Sequence, residues 1–402
     1  MKKLHLIYIT AAVTAAVTIT VCLLLSGLLT ERRLSLNGFV PLDKTMEAAG
    51  YSKIASGCFE TVIGEIAVEI QFDFQSDICT KNLYSFDISG KYFISGSDYY
   101  IDTETIGSIT NKIISIENGH VTASDIDYAP HQWTTEFPPI VAHSGGDIRA
   151  ETYTDYYTNS LDAVVQNYNL GFRVFEIDFY LTSDAQLAAV HDWENYAYCD
   201  GTAPTAELWL SMKTHGYPQT EGVYYTAMLA GDLMDQMMVN RDMFVITDTK
   251  SFEISEEETR LQFEILRDEA LKRDPSLLKR IIPQIYNEEM YDLIMEIYEF
   301  PDVIYTLYAT ATTSDRAAEF VSDKENIKVV TVRKTDERFL NSRIADKLAP
   351  LGKLVYVHTL KSYDELAACA SYGAYGFYAH HLTPDDYKAY ALCSDKTVRT
   401  SG

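Results

Sequence analysis

The sequence predicts an α/β protein whose main body is a (β/α)8 TIM-type barrel, preceded by an N-terminal transmembrane helix and a small β-rich domain. Three observations carry this. Beyond Pro138, short apolar runs alternate with amphipathic stretches over about 260 residues. From Glu65 to Phe74 the chain alternates strictly between polar and apolar residues, and residues 6 to 29 contain no charge.

The charge-free stretch, LIYITAAVTAAVTITVCLLLSGLL, is long enough to cross a bilayer as a helix. It exceeds the apolar region of a cleaved signal peptide and no A-x-A-like site follows it, so residues 1–33 read as an uncleaved signal anchor. Bulky neighbours around Cys22 argue against lipoprotein cleavage. Lys2 and Lys3 before the span nearly balance Glu31, Arg32 and Arg33 after it. Orientation therefore follows from position. Almost nothing precedes the span, which leaves the N-terminus in the cytoplasm and the rest of a single-pass cell-membrane protein extracytoplasmic.

Residues 38–135 follow as a small antiparallel β-rich domain. In EIAVEIQFDF, the side chains of Ile66, Val68, Ile70, Phe72 and Phe74 share one face, the mark of a half-buried strand. SFDISGKYFIS is expected to form a hairpin at Ser89-Gly90, and KIISIENGHVTAS another at Asn118-Gly119. The domain holds no catalytic constellation, and a binding surface and a spacer are both open for it.

Residues 139–398 carry the barrel. PIVAHSGG is a strand ending in a Gly-rich loop, and NSLDAVVQNYNLG is a helix stopped by Gly171. FRVFEID and MFVITDTK are strands, with a helix near 221–240 before the second. Helix and strand then alternate from EEETRLQFEILRDEAL through RIIPQIY, NEEMYDLIMEIY, VIYTLYAT, DRAAEFVSD, IKVVTVR, LVYVHTL and DELAACASYG to GFYAHH. Counting LAAV before His191, nine strand-like segments compete for eight barrel positions. LAAV and IKVVTVR are the candidates for a hairpin arm or an irregular piece.

A formal net charge of −25 argues against nucleic acid as a partner and against docking on anionic lipid through a basic surface, while permitting a divalent cation site. No pair among Cys58, Cys79, Cys199, Cys369 and Cys393 has metal-ligand spacing. Cys58 with Cys79 and Cys369 with Cys393 are candidate disulfides, with unpaired buried thiols as the alternative.

Barrel enzymes place their chemistry at the C-terminal ends of the strands. His143 ends the first strand, Glu176 and Asp178 end the second, His191 follows LAAV, and Asp248 and Lys250 end VITDTK. In Glu-x-Asp both side chains point to one face, here the barrel interior. Adjacent carboxylates repel unless a proton or a cation lies between them. Glu176, Asp178 and Asp248 are therefore the candidate ligands of a hard divalent ion. His143 and His191 titrate near neutrality and form the candidate acid/base pair. Singly, each feature has an ordinary structural explanation, an ion-paired turn or a hydrogen-bonded histidine; together at strand ends they do not. The set suits phosphodiester cleavage, with Lys250 a further cation for the phosphate.

In this order the residues resemble the glycerophosphodiester phosphodiesterases, which belong with the phosphatidylinositol-phospholipase-like barrels, over roughly residues 139 to 385. The family's His-Arg-Gly strand end is here AHSGG, and its Asn-Thr helix start is Asn159-Ser160. Its Glu-x-Asp, Thr-x-Asp turn and His-Asp are met by Glu176 and Asp178, Thr182-Ser183-Asp184, and His191-Asp192. Its Glu-x-Lys appears as Asp248-x-Lys250 and its last Gly-x-x-Gly strand as Gly373 to Gly376. The resemblance implies a metal-dependent phosphoric diester hydrolase in which His143 and His191 exchange protons. Glu176, Asp178 and Asp248 would hold Ca2+ or Mg2+, and Lys250 and Asn159 would bind substrate. The products are an alcohol and glycerol phosphate, in many members by way of a cyclic phosphate. Glycerophosphodiesters, lysophospholipids and surface glycopolymers are the substrates in reach.

Three departures stand out. Ser144 replaces the phosphate-binding arginine, with Arg149 as its candidate substitute. His358-Thr359-Leu360-Lys361 replaces Trp-Thr-Val-Asn, and Ala379-His380 replaces Thr-Asp. They leave open a barrel that binds phospho-glycans or phospholipids without cleaving them, and a metal-independent cyclising enzyme. The Tyr-rich segment 194–243, with Trp209 and His215, falls where a lid would lie, its aromatics either stacking on a ligand or packing over the barrel.

Overall fold

The computed structural model describes residues 38–117, 120–195, 201–216, 219–250 and 252–400. The expected membrane span at 6–29 and the Asn118-Gly119 turn lie outside the described residues. Among the described residues, no helix is long and apolar enough to cross a membrane. The chain divides into two compact units between Ile126 and Asp127.

The first unit is antiparallel. Five strands, Ser52–Ala55, Cys58–Ile63, Ile66–Asp73, Ile78–Lys81 and Tyr84–Asp87, pair in chain order. Phe39–Pro41, Asp98–Asp102 and Tyr92–Ser95 form a second sheet, and Lys112–Glu117 pairs with His120–Asp125. Along Ile66–Asp73, Val68, Ile70 and Phe72 are buried and the residues between them exposed, because successive side chains take opposite faces. Ser89-Gly90 does not close a hairpin. Tyr84–Asp87 folds back onto Ile78–Lys81 through Asn82 (φ 52°), and Tyr92–Ser95 pairs onward with Asp98–Asp102 through Gly96 (φ 66°). Those two left-handed positions make the tight turns, so Ser89-Gly90 only carries the chain from one sheet to the other. Cys58, Cys79 and Cys369 carry free thiols, so neither candidate disulfide forms.

In the second unit, eight parallel strands close a barrel: β1 (Ile140–Ala142), β2 (Val174–Leu181), β3 (Phe244–Asp248), β4 (Ile281–Ile285), β5 (Val303–Thr306), β6 (Ile327–Arg333), β7 (Leu354–Leu360) and β8 (Gly376–Ala379). Each pairs with the next, and β8 returns to β1 with Ile140 opposite Phe377. IKVVTVR is β6, paired on both sides, whereas Leu187–Ala189 is a hairpin arm running antiparallel to the outer end of β2. Periodicity does not separate the two, because both are short, apolar and buried.

The strands are covered on both faces, as parallel sheets require: Ile177, Ile246, Ile282, Ile304 and Val329 are fully buried, each contributing about 1.5–3 kcal/mol relative to exposure. Helices begin where a side chain satisfies their first N–H groups. Ser160 caps α1 (Leu161–Asn169), and a Ser255/Glu258 capping box opens the helix Glu256–Arg273.

Candidate active site

Carboxylates collect at the mouth of the barrel. Glu176 and Asp178 share the interior face of β2, and the parallel register sets Asp178 beside Asp248 of β3. One oxygen from each of Glu176, Asp178 and Asp248 lies within 4.8 Å of the others, and all three residues are buried. Lys250 reaches into this floor, its Nζ 2.6 Å from Asp178 Oδ1 and 2.7 Å from Asp248 Oδ2. Tyr308 donates its hydroxyl to Asp248 Oδ2 at 3.0 Å, and the Tyr286 hydroxyl donates to the other oxygen. Ser144 donates its backbone N–H to Glu176 Oε2 at 2.7 Å and its hydroxyl to Asp178 Oδ2 at 2.9 Å.

These contacts divide the charge unequally. Burial, reinforced by Asp178 and Asp248, pushes the Glu176 carboxyl well above the usual range. Burial also works against the Asp178 charge, but Lys250, His191 and His143 outweigh it and hold that carboxylate low. Lys250 stays protonated because Asp178 and Asp248 more than offset its burial. Glu176 is therefore the acid of the three most disposed to hold a proton, and the Lys250 ammonium offsets only part of the negative charge of the floor. The oxygen-only donor set fits Ca2+ or Mg2+, and a divalent ion would offset the negative charge that Lys250 leaves.

The histidines flank the floor. His143, just past β1, has Nε2 3.8 Å from Glu176 Oε2 and Nδ1 3.0 Å from His380 Nε2. His191 Nδ1 lies 2.9 Å from Asp192 Oδ2. Asp192 also accepts the backbone N–H groups of Glu194 at 3.1 Å and Asn195 at 2.7 Å, so it both orients the histidine and holds the next turn. The Tyr157 ring stands edge-to-face with both imidazoles, at centroid distances of 5.0 Å from His143 and 5.5 Å from His191. Burial, aided by His380, drives the His143 pKa well down. Burial opposes the His191 charge too, but the field of Asp178 and the Asp192 hydrogen bond raise it above the ordinary imidazole value. The two imidazoles are thus biased in opposite directions, His143 toward its neutral form and His191 toward its protonated one.

Both histidines open onto a cleft of about 690 Å³, with Phe252, Tyr308, Arg333 and His358 on its walls. Burial pushes His358 down to about 4, which leaves it neutral. His143, His191, Asp248 and Lys250 line this cleft, while Glu176 and Asp178 lie buried in the acid floor. Asn159, the candidate substrate residue, is fully buried behind the floor, donating Nδ2 to Asp178 Oδ2 at 2.9 Å and accepting the Asp178 N–H at 3.0 Å. Arg149, the candidate substitute for the missing arginine, is engaged elsewhere. Its Nη2 donates to the Leu382 carbonyl at 3.3 Å and lies 3.8 Å from Asp147 Oδ2, outside the cleft lining.

Sequence reasoning does not reach Arg333, whose strand competes with LAAV for a barrel position. Arg333 lines the cleft with its guanidinium 5.3 Å from the Tyr308 ring centre and has no ion-pair partner among the described residues. Tyr286, Tyr308, Asp147 and His380 are also beyond it; only His380 leaves a trace, as a departure from Thr-Asp. Trp209 is buried, donating its indole N–H to the Met228 carbonyl at 3.1 Å and packing edge-on against Trp193, so it is a packing residue.

Fold and site together define a class, a (β/α)8 barrel with an acidic floor and two histidines at its mouth. Within that class the barrel has the fold of the glycerophosphodiester phosphodiesterases. It is similar to a glycerophosphodiester phosphodiesterase from Parabacteroides distasonis, at 13% identity and a TM-score of 0.52, over 64% of this chain and 98% of that one. It is also similar to a Silicibacter pomeroyi protein described as a glycerophosphoryl diester phosphodiesterase, at 10% identity and a TM-score of 0.50, over 64% of this chain and 94% of that one. No protein-family model and no curated protein matches the sequence.

Proposed function

We propose that the protein is a membrane-anchored, externally facing, metal-dependent phosphodiesterase that hydrolyses glycerophosphodiester-type bonds by two-histidine acid/base catalysis. The observation that carries the reading is the pair of imidazoles biased in opposite directions across one cleft, above an acidic floor. His143 would take the proton of the attacking hydroxyl or water, and His191, backed by Asp192, would protonate the departing alkoxide. Lys250 and Arg333 supply cations for the phosphate. Glu176, Asp178 and Asp248 would hold the Ca2+ or Mg2+, which when bound neutralises charge on the phosphate oxygens. The anchor rests on the charge-free stretch at 6–29, and the substrate class on the fold shared with glycerophosphodiester phosphodiesterases.

One observation favours a metal-independent variant: the Lys250 ammonium already touches two of the three floor acids, as a cation would. Detergent-solubilised protein offered glycerophosphocholine and a chromogenic phosphodiester, with Ca2+, Mg2+ or chelator, separates these readings. Turnover lost on chelation is expected. Turnover indifferent to chelation selects the variant, and ligand binding without product from any ester removes the hydrolase reading. His143→Ala and His191→Ala should each lower kcat about a hundredfold or more.

A further inference from the structure

We propose that Asp147 and His380 form a proton-orienting relay behind His143, which fixes its tautomer so that Nε2 is the proton acceptor of the reaction. The inference rests on the phosphodiesterase reading above and assigns two positioning residues to it.

The relay begins with the backbone. Directly after β1 the chain reverses through three successive positive φ values, Ser144 at 52°, Gly145 at 84° and Gly146 at 93°. A Cβ on Gly146 would stand 2.4 Å from Asn167 Cγ, so the reversal needs glycine there. It brings Asp147 to the end of β8, where His380 follows Ala379. Asp147 Oδ1 lies 2.7 Å from His380 Nδ1, and Oδ2 accepts the His381 backbone N–H at 2.5 Å. His380 Nε2 in turn lies 3.0 Å from His143 Nδ1.

The direction of the protons follows from the chemistry of each group. A carboxylate only accepts, so the hydrogen between Asp147 and His380 sits on His380 Nδ1. A neutral imidazole carries one N–H, so His380 Nε2 must accept, and His143 must donate from Nδ1. The second nitrogen of His143 is then a bare lone pair. His380 is completely buried, and burial favours the neutral form of the middle ring despite Asp147.

Asp147→Asn tests this with every hydrogen bond retained. The amide oxygen can still accept from His381, but the amide nitrogen must donate to His380 Nδ1. The proton then sits on His380 Nε2, which donates to His143 Nδ1 and leaves hydrogen on His143 Nε2. The expected result is a loss of roughly 10²–10⁴-fold in kcat, with KM and Tm near wild type. His380→Gln, whose amide oxygen still accepts from His143, should retain activity to within about tenfold. In 15N-histidine spectra, His143 should be the Nδ1–H tautomer in the wild type and the Nε2–H tautomer in Asp147→Asn, its signal assigned through His143→Ala. Wild-type kcat in Asp147→Asn, or an Nε2–H tautomer in the wild type, overturns the relay. The spectra decide the matter even if a variant fails to fold. An active Asp147→Asn beside an inactive His143→Ala would discard the relay and keep the phosphodiesterase.

Discussion

Replacing Lys250 by methionine removes the ammonium from the acidic floor while keeping much of the side chain's bulk. Lys250 is 7% exposed, and its Nζ contacts Asp178 at 2.6 Å and Asp248 at 2.7 Å. Breaking a buried pair by removing one partner costs about 3–5 kcal/mol. A second route gives a similar limit: a stranded carboxyl can escape by binding a proton, and lifting its pKa from about 4 to 7 at about 1.4 kcal/mol per unit costs about 4 kcal/mol. In a domain of this size each kcal/mol moves Tm by about 2–4 °C, so Tm should fall by roughly 8–16 °C at pH 7 in chelator. Calcium should return much of the loss, since an ion at a hundred times its Kd adds about 2.7 kcal/mol. Scanning calorimetry with and without Ca2+ measures both. A loss below about 1 kcal/mol in chelator would refute the charge balance drawn for the floor. An equal loss with and without Ca2+ would refute a shared site for ammonium and metal.

Three further outcomes can be checked by steady-state kinetics. His191 must be protonated to act as the acid and its pKa is raised, so kcat should fall as pH climbs through a value above the ordinary imidazole range. Asp192→Asn should move that alkaline limb to lower pH, and an unmoved limb would show that Asp192 only holds its turn. Arg333→Ala should raise KM about tenfold with little change in kcat, as expected for a cation that grips the phosphate equally in ground and transition states. Unchanged KM would leave the wall cation without a role in binding.

Much of the barrel and its acidic floor is legible in the sequence because burial and alternation are local signals. Glu176 and Asp178 share a face by the period of a strand alone, whereas LAAV and IKVVTVR, alike in pattern, are told apart only by their pairing. The loop residues are harder. Ser144 and Asn159 turn inward because their backbones are left-handed, at φ 52° and 46°, a conformation that no apolar pattern encodes. Asp147 and His380 meet across 233 positions of sequence, so only the closure of β8 on β1 reveals them. Arg333 depends on β6 being a true barrel strand, which its pairing on both sides establishes.

The ring order of the strands has an evolutionary consequence. One arc, β8 to β1 to β2 to β3, carries His380, His143 and the three acids, with His191 on the hairpin that extends β2. The opposite arc, β4 to β7, leads into Tyr286, Tyr308, Arg333 and His358, stitched to the first where the two tyrosines reach Asp248. Inheritance can therefore act on the two arcs at different rates. On the proposed function, drift in the second arc would reshape the cleft wall that carries Arg333, and drift in the first would act on the two histidines and the acids that would hold the metal.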